Sequence, residues 1–409
     1  MKKNSLNTYI DYLLLTFFIL MSGGSFTYGM FTNWAYLIFP VVLCTYLNRG
    51  YKISGKMLIV VTAFALLYSL QAFKWNAPIT SIIQPTLQIF TVLLFARIIY
   101  QRFNQVFVNI ILFFATISLV IWCISMIPAG YSFMFNLSQG LPQYGVENLW
   151  EVRDLGETMY TCYFFSYGNL GNSFYANTGI VRNCGPFWEG GRFTIFLTIA
   201  LMIRLYNNPK KLFDKKNIIL LLANITTFST TGYIAIAILF IGYVAIQKKG
   251  AGTIVLLIML ISSAVIIMSR LEFMSDKIIS QMNDLSNTDS RFGAMVYHFM
   301  QISQSPIIGY GSHLDKAFNI IEMSPNGWTS YIRYVGVPMF IVMMLFLYKG
   351  VKSYIHYNSK LICVFAFIVI LTLAFTQTCM NDPFYYIMYF MIFNISAKSS
   401  AIVNTDYAR

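Results

Sequence analysis

QVFVNIILFFATISLVIWCISMIP, residues 105–128, carries no charged side chain along its whole length. A helix needs about 20 apolar residues to cross the hydrocarbon core of a bilayer, where every backbone N–H and C=O must be satisfied within the segment. Comparable runs lie near 9–28, 31–48, 57–73, 79–100, 191–207, 217–230, 232–247, 252–269, 331–349, 360–378 and 384–397. Together they predict an all-α polytopic membrane protein with about twelve transmembrane helices, a single integral membrane domain over residues 1–409. Composition agrees: 57% of residues are hydrophobic and 11% charged, where a soluble domain carries about 25% charged residues. So few charges cannot coat a water-facing surface, and lipid is the solvent.

The loops between these runs differ in charge. Nineteen of the 28 basic residues fall in one alternating set of short loops and tails: Lys2, Lys3; Arg49, Lys52, Lys56; Arg97, Arg102; Arg204, Lys210, Lys211, Lys215, Lys216; Lys248, Lys249; Lys349, Lys352, Lys360; Lys398 and Arg409. The opposite set has only Lys74 in a short loop. By the positive-inside rule the first set is cytoplasmic, which puts both termini inside and requires an even number of spans. Twelve of the fifteen acidic residues then lie outside; Asp11, Asp214 and Asp406 are the exceptions. The net charge of +13 is a topology signal on this reading, and no nucleic-acid partner is expected. The first run follows Lys2 and Lys3 without a small-residue cleavage site, as a retained anchor does. No internal repeat of the inverted kind found in many transporters is visible.

Two long outer segments hold the polar chemistry, at about 129–190 and about 270–330. In the first, Glu147, Glu151, Asp154 and Glu157 recur among apolar and aromatic residues at near-helical spacing, which predicts an amphipathic helix over Val146–Phe165. The alternative is a solvated acidic face. Tyr144, Trp150, Tyr160 and Tyr163 of this loop are candidates for stacking on sugar rings, set against plain interface anchoring. In the second, Arg291–Ser303 has helical spacing, with Phe292, Met295, Val296, Phe299 and Ile302 on one side. Pro306 and Gly309-Tyr310-Gly311 terminate it. Cys162 and Cys184 share the first outer loop and are placed to pair or to remain as thiols; Cys44, Cys123 and Cys363 read as packing residues within spans. No Cys or His spacing resembles a zinc site, and no metal or other cofactor is expected.

VRNCGPFWEGGRFTIFLTIAL (Val181–Leu201) resembles the Arg-x-x-Gly-x-Phe-x-Glu-Pro/Gly-Gly pattern that enters a span in bacterial O-antigen polymerases of the Wzy type. Three more stretches agree in order and spacing. TTFSTTGYIAIAI is similar to that family's Ser/Thr-Thr-Gly turn between adjacent spans. SRFGAMVYHFMQISQSPIIGYG resembles its Arg followed after about a dozen residues by Pro-x-x-Gly-x-Gly, and SPNGWTSYIRYVGVPMF the segment entering the next span. The resemblance covers roughly Val181 to Met339, with one departure: Pro325 stands where many of the related O-antigen ligases have histidine, which weighs against the ligase reading. It implies a fold similar to C-type glycosyltransferases, and polymerisation of undecaprenyl-pyrophosphate-linked oligosaccharides at the periplasmic face of the inner membrane, without a nucleotide sugar. It makes membrane lipids and a polysaccharide chain-length regulator further candidate partners.

Such chemistry expels a pyrophosphate, so developing negative charge must be stabilised beside a membrane. Arginine suits this, being always charged and offering a planar fork of donors. The outer set contains Arg182, Arg192, Arg291 and Arg333, and these are the candidate pyrophosphate- and substrate-binding residues; the alternative for each is snorkelling or pairing with a carboxylate. The acceptor hydroxyl must also lose its proton, to a carboxylate or a histidine. Glu189, between Trp188 and Gly190-Gly191, is the first candidate base, set against a structural role beside Arg182 or Arg192; His313 is the second. His298 reads as a packing residue, and His356 lies on the cytoplasmic side. Two other functions compete: a ligase passing glycan to a lipid A-core acceptor, and a flippase for the same glycan lipids. A flippase is expected to place its charges inside the membrane, whereas here they cluster in outer loops.

Overall fold

The computed structural model describes residues 2–24, 33–139, 159–162, 165–168, 180–246, 291–314, 317, 326–356 and 359–394. These residues are mostly helical, and the helices follow the apolar runs. In chain order they are α1 (Lys2–Met21), α2 (Trp34–Asn48), α3 (Gly55–Lys74), α4 (Thr80–Ile99), α5 (Phe103–Ser125), α6 (Pro128–Gln139), α7 (Gly190–Asn207), α8 (Lys215–Ile225), α9 (Thr230–Ile246), α10 (Arg291–Gln304), α11 (Gly327–Val335), α12 (Val337–Tyr354), α13 (Lys360–Phe375) and α14 (Pro383–Phe390), which a 3-10 turn, Met391–Asn394, prolongs. Four of the described helices, α3, α4, α5 and α12, are long and apolar enough to cross a membrane; Leu6–Met21 of α1, and α2, α9 and α13, are shorter apolar stretches. The predicted span at 252–269 lies outside the described residues, as does most of Val146–Phe165 with Tyr144, Trp150 and the four acids of that loop.

Several expectations change. The helix predicted up to Phe165 gives way to strand: β1 (Met159–Cys162) pairs antiparallel with β2 (Phe165–Gly168), which pairs in turn with β3 (Arg182–Asn183). Aromatic and threonine residues at 159–167 favour extended backbone over helix. The run at 217–230 yields the 11 residues of α8, about 16 Å of helix. That at 384–397 yields the 8 residues of α14, about 12 Å. Neither helix alone crosses about 30 Å of hydrocarbon. The run at 331–349 breaks at Gly336, which has a positive φ of 79°, and α12 begins one residue later with Pro338 in its first turn.

The chain forms two compact units. The first comprises Met1–Thr32, Asn104–Asn283 and Tyr357–Gln377. Its centre is α7, which packs against α8, α9 and α13 and is buried from Gly190 to Tyr206, save for a half-buried Arg204. Being enclosed by protein, α7 tolerates polar groups that find partners across helices: Thr194 Oγ1 donates to Asn224 Oδ1 at 2.6 Å, and Asn224 Nδ2 to Thr198 Oγ1 at 2.7 Å. Asp214, one of the three acids on the basic-loop side, forms an ion pair with Arg204.

The second unit comprises Asn33–Phe103, Asp284–His356 and Thr378–Arg409. Here α4 packs against α2, α3 and α14, α12 against α14, and α11 against α10 and α12. Its core is aromatic: Tyr331 stacks on Tyr389 at 6.3 Å between ring centroids, and Tyr386 meets Phe64 edge-on at 6.0 Å.

Candidate functional site

Three of the six candidate residues, Arg182, Glu189 and Arg192, come together in the first unit. Strand β3 fixes the first of them. Asn183, fully buried, donates through Nδ2 to Ser118 Oγ and Thr226 Oγ1, both at 3.1 Å, and accepts from the Gly185 N–H at 3.0 Å. Its own N–H donates to the Thr226 carbonyl at 2.9 Å, while Trp122 Nε1 of α5 donates to the Val181 carbonyl at 2.8 Å. This brings Arg182 against the turn that follows α8. Its Nε donates to the Thr227 carbonyl at 3.0 Å and its Nη2 to the Phe228 carbonyl at 3.3 Å. A cation beside the carbonyl end of a helix is electrostatically favoured. Two stretches 45 residues apart in sequence, VRNCGPFWEGGR and TTFSTTGY, are thus one structural feature.

Glu189 is the N-cap residue of α7, with extended backbone at φ −145° and ψ 142°. Its side chain is half-buried, and Oε2 accepts from Gln377 Nε2 at 3.1 Å. Arg192, one turn on, is 5% exposed and lies with its guanidinium carbon 5.9 Å from the centre of the Trp188 ring. Trp188 is held in turn by its N–H to the Gly23 carbonyl at 3.3 Å. Cys184 is buried beside this segment, whereas the Cys162 side chain lies outside the described residues, and their pairing with it.

The other three belong to the second unit. Arg291 opens α10; its side chain lies outside the described residues. Arg333, on α11, is 6% exposed, and its Nη1 donates to Gln301 Oε1 of α10 at 2.6 Å. Gln301 is itself buried, and its Nε2 has no hydrogen-bond partner among the described residues. The Pro-x-x-Gly-x-Gly loop is bound by main chain to the end of α11: the Tyr310 N–H donates to the Arg333 carbonyl and the Gly311 N–H to the Tyr334 carbonyl, both at 2.9 Å. Gln71 of α3 ties both sides, giving Nε2 to the Ile308 and Tyr334 carbonyls at 2.6 and 2.9 Å. Tyr310 stacks on Trp75 at 5.0 Å, and its hydroxyl donates to the Gln301 carbonyl at 2.7 Å. Burial pushes the Tyr310 phenol above its ordinary range, against the opposing pull of Arg333. His313 follows the loop and is buried, its N–H donating to the Tyr310 carbonyl at 3.1 Å.

The face of α10 that turns inward is a correction. Of the apolar side read from the spacing, Val296 and Phe299 are 48% and 49% exposed while Ile302 is buried; the buried side carries Ala294, His298 and Gln301 beside Ile302. His298, read from sequence as a packing residue, is fully buried with its ring Nδ1 2.7 Å from Thr329 Oγ1. The sequence reading also passed over Asn183, Gln301 and Gln377. Gln301 carried a signal, since His298 and Gln301 lie three apart on one helical face. Comparison with protein-family models, with curated proteins and with solved structures finds no match to this chain.

Proposed function

We propose that this protein polymerises oligosaccharide repeat units carried on undecaprenyl pyrophosphate, at the periplasmic face of the bacterial inner membrane, as a metal-independent glycosyltransferase of the O-antigen polymerase type. The observation that carries this reading is the short segment Arg182–Arg192. It sets a carbonyl-held guanidinium, a carboxylate and a buried second guanidinium at the mouth of one enclosed helix. The grouping of the second unit supports it: Arg333, Gln301, Tyr310 and His313 gather at the glycine loop, with Gln301 accepting from both the Arg333 guanidinium and the Tyr310 hydroxyl.

On this reading Arg182 and Arg192, at the mouth of α7, bind the pyrophosphate and take up charge as the sugar–phosphate bond breaks, and Arg291 and Arg333 are the candidate substrate-binding residues of the second unit. Glu189 accepts the proton of the acceptor hydroxyl as the new glycosidic bond forms, with His313 as the second candidate. Undecaprenyl pyrophosphate leaves. The chain crosses the membrane about twelve times with both termini in the cytoplasm. A chain-length regulator is the expected protein partner. Deleting the gene tests the class: loss of a polymerase leaves single repeat units on the surface lipid. Loss of a ligase leaves none while lipid-linked chains accumulate, and loss of a flippase traps units inside.

A further inference from the structure

From the contact it makes, we infer that Gln377 is the positioning residue for Glu189, and that Gly191 exists as glycine to let it do so. The inference rests on the reading of Glu189 as the base. Gln377 follows α13, is 6% exposed, and reaches the N-terminus of α7 to donate Nε2 to Glu189 Oε2 at 3.1 Å. A side chain at residue 191 would occupy the route of that contact. A Cβ there would sit 2.5 Å from Gln377 Nε2 and 3.2 Å from Glu189 Oε1. The two residues closest to such a Cβ are therefore the two members of the hydrogen bond. A half-buried carboxylate at a helix N-terminus has several rotamers open to it; an amide donor on one of its oxygens favours one of them and so fixes where the carboxylate stands. A base misplaced by about 1 Å loses much of its effect on rate.

Gly191→Ala perturbs this contact selectively. The atom it meets is the tip of a flexible side chain, so helix α7 keeps its place and the amide moves. Gln377→Met removes the donor at nearly constant volume. The test is chain elongation by the full-length protein in lipid nanodiscs, with a defined undecaprenyl-pyrophosphate-linked repeat unit. Each variant is expected to lower kcat by about 10- to 100-fold, the worth of one hydrogen bond to a charged group expressed as a rate, with KM nearly unchanged. The double variant is expected to lose no more than the worse single one, because both act through one contact. Losses that multiply, or that fall on KM, indicate a structural role and overturn the inference. Glu189→Gln separates the two layers. If it abolishes elongation while Gln377→Met elongates at the wild-type rate, the positioning inference fails alone. If Glu189→Gln keeps the wild-type rate, the assignment of the base fails and the inference with it.

Discussion

Gly309→Ala puts the second unit's loop under direct test. Gly309 has φ +67°, a conformation that costs an L side chain about 1–2 kcal/mol. A Cβ there also meets the Arg333 carbonyl at 2.6 Å, the Gly336 N at 2.7 Å and the Tyr334 carbonyl at 2.8 Å, all of them main-chain atoms. Backbone cannot rotate away as a side chain can, so the loop must back off from the end of α11. That displacement breaks the Tyr310–Arg333 and Gly311–Tyr334 hydrogen bonds, at about 1 kcal/mol each. The total is roughly 3–4 kcal/mol. Gly50→Ala supplies the reference, since Gly50 has a similar φ of +73° with nothing within 4 Å of its Cβ position. It bears the conformational cost alone. Thermal unfolding of the purified protein in one detergent, with both variants side by side, reads the difference. Gly309→Ala should melt well below Gly50→Ala. Equal melting temperatures would refute the tight apposition of loop and helix.

Three further outcomes follow from the same contacts. Asn183→Ala deletes three hydrogen bonds and leaves the buried Gly185 N–H without its acceptor; it should cost about 2–4 kcal/mol of stability, seen as a lowered melting temperature. Arg182→Lys should fail to restore what Arg182→Ala loses, because an ammonium cannot reproduce a planar fork across two carbonyls; chain extension should fall at least about 100-fold in both while membrane insertion is normal by fractionation. Reporter fusions after residues 150 and 300 should report an outer location and one after residue 212 the cytoplasm; an inward-facing residue 300 would overturn the placement of the site.

The long apolar runs were readable because lipid imposes one simple demand, length without charge, and α3, α4, α5 and α12 meet it. The short elements were less so. The break at Gly336 had a local signal in Gly-Val-Pro, yet the hydropathy of 331–349 concealed it. Helix α10 shows a deeper limit. Its 3.6-residue periodicity was visible, but periodicity alone does not say which polar residues find partners; here Val296, Phe299 and Met300 are exposed while His298 and Gln301 turn inward, to Thr329 and Arg333. The candidate arginines and Glu189 could be named from charge placement and motif. Their holders could not. Gln377 lies 188 residues from Glu189 in sequence, Gln71 lies 263 from Tyr334, and no local pattern joins either pair.

The central claim is that this chain joins lipid-linked glycan units. Purified protein in nanodiscs, given one defined undecaprenyl-pyrophosphate-linked repeat unit and neither metal nor nucleotide sugar, should build a ladder of longer lipid-linked chains. It should release one undecaprenyl pyrophosphate for each bond formed. Substrate that stays as single units beside a properly folded protein, or pyrophosphate released without chain growth, would contradict it.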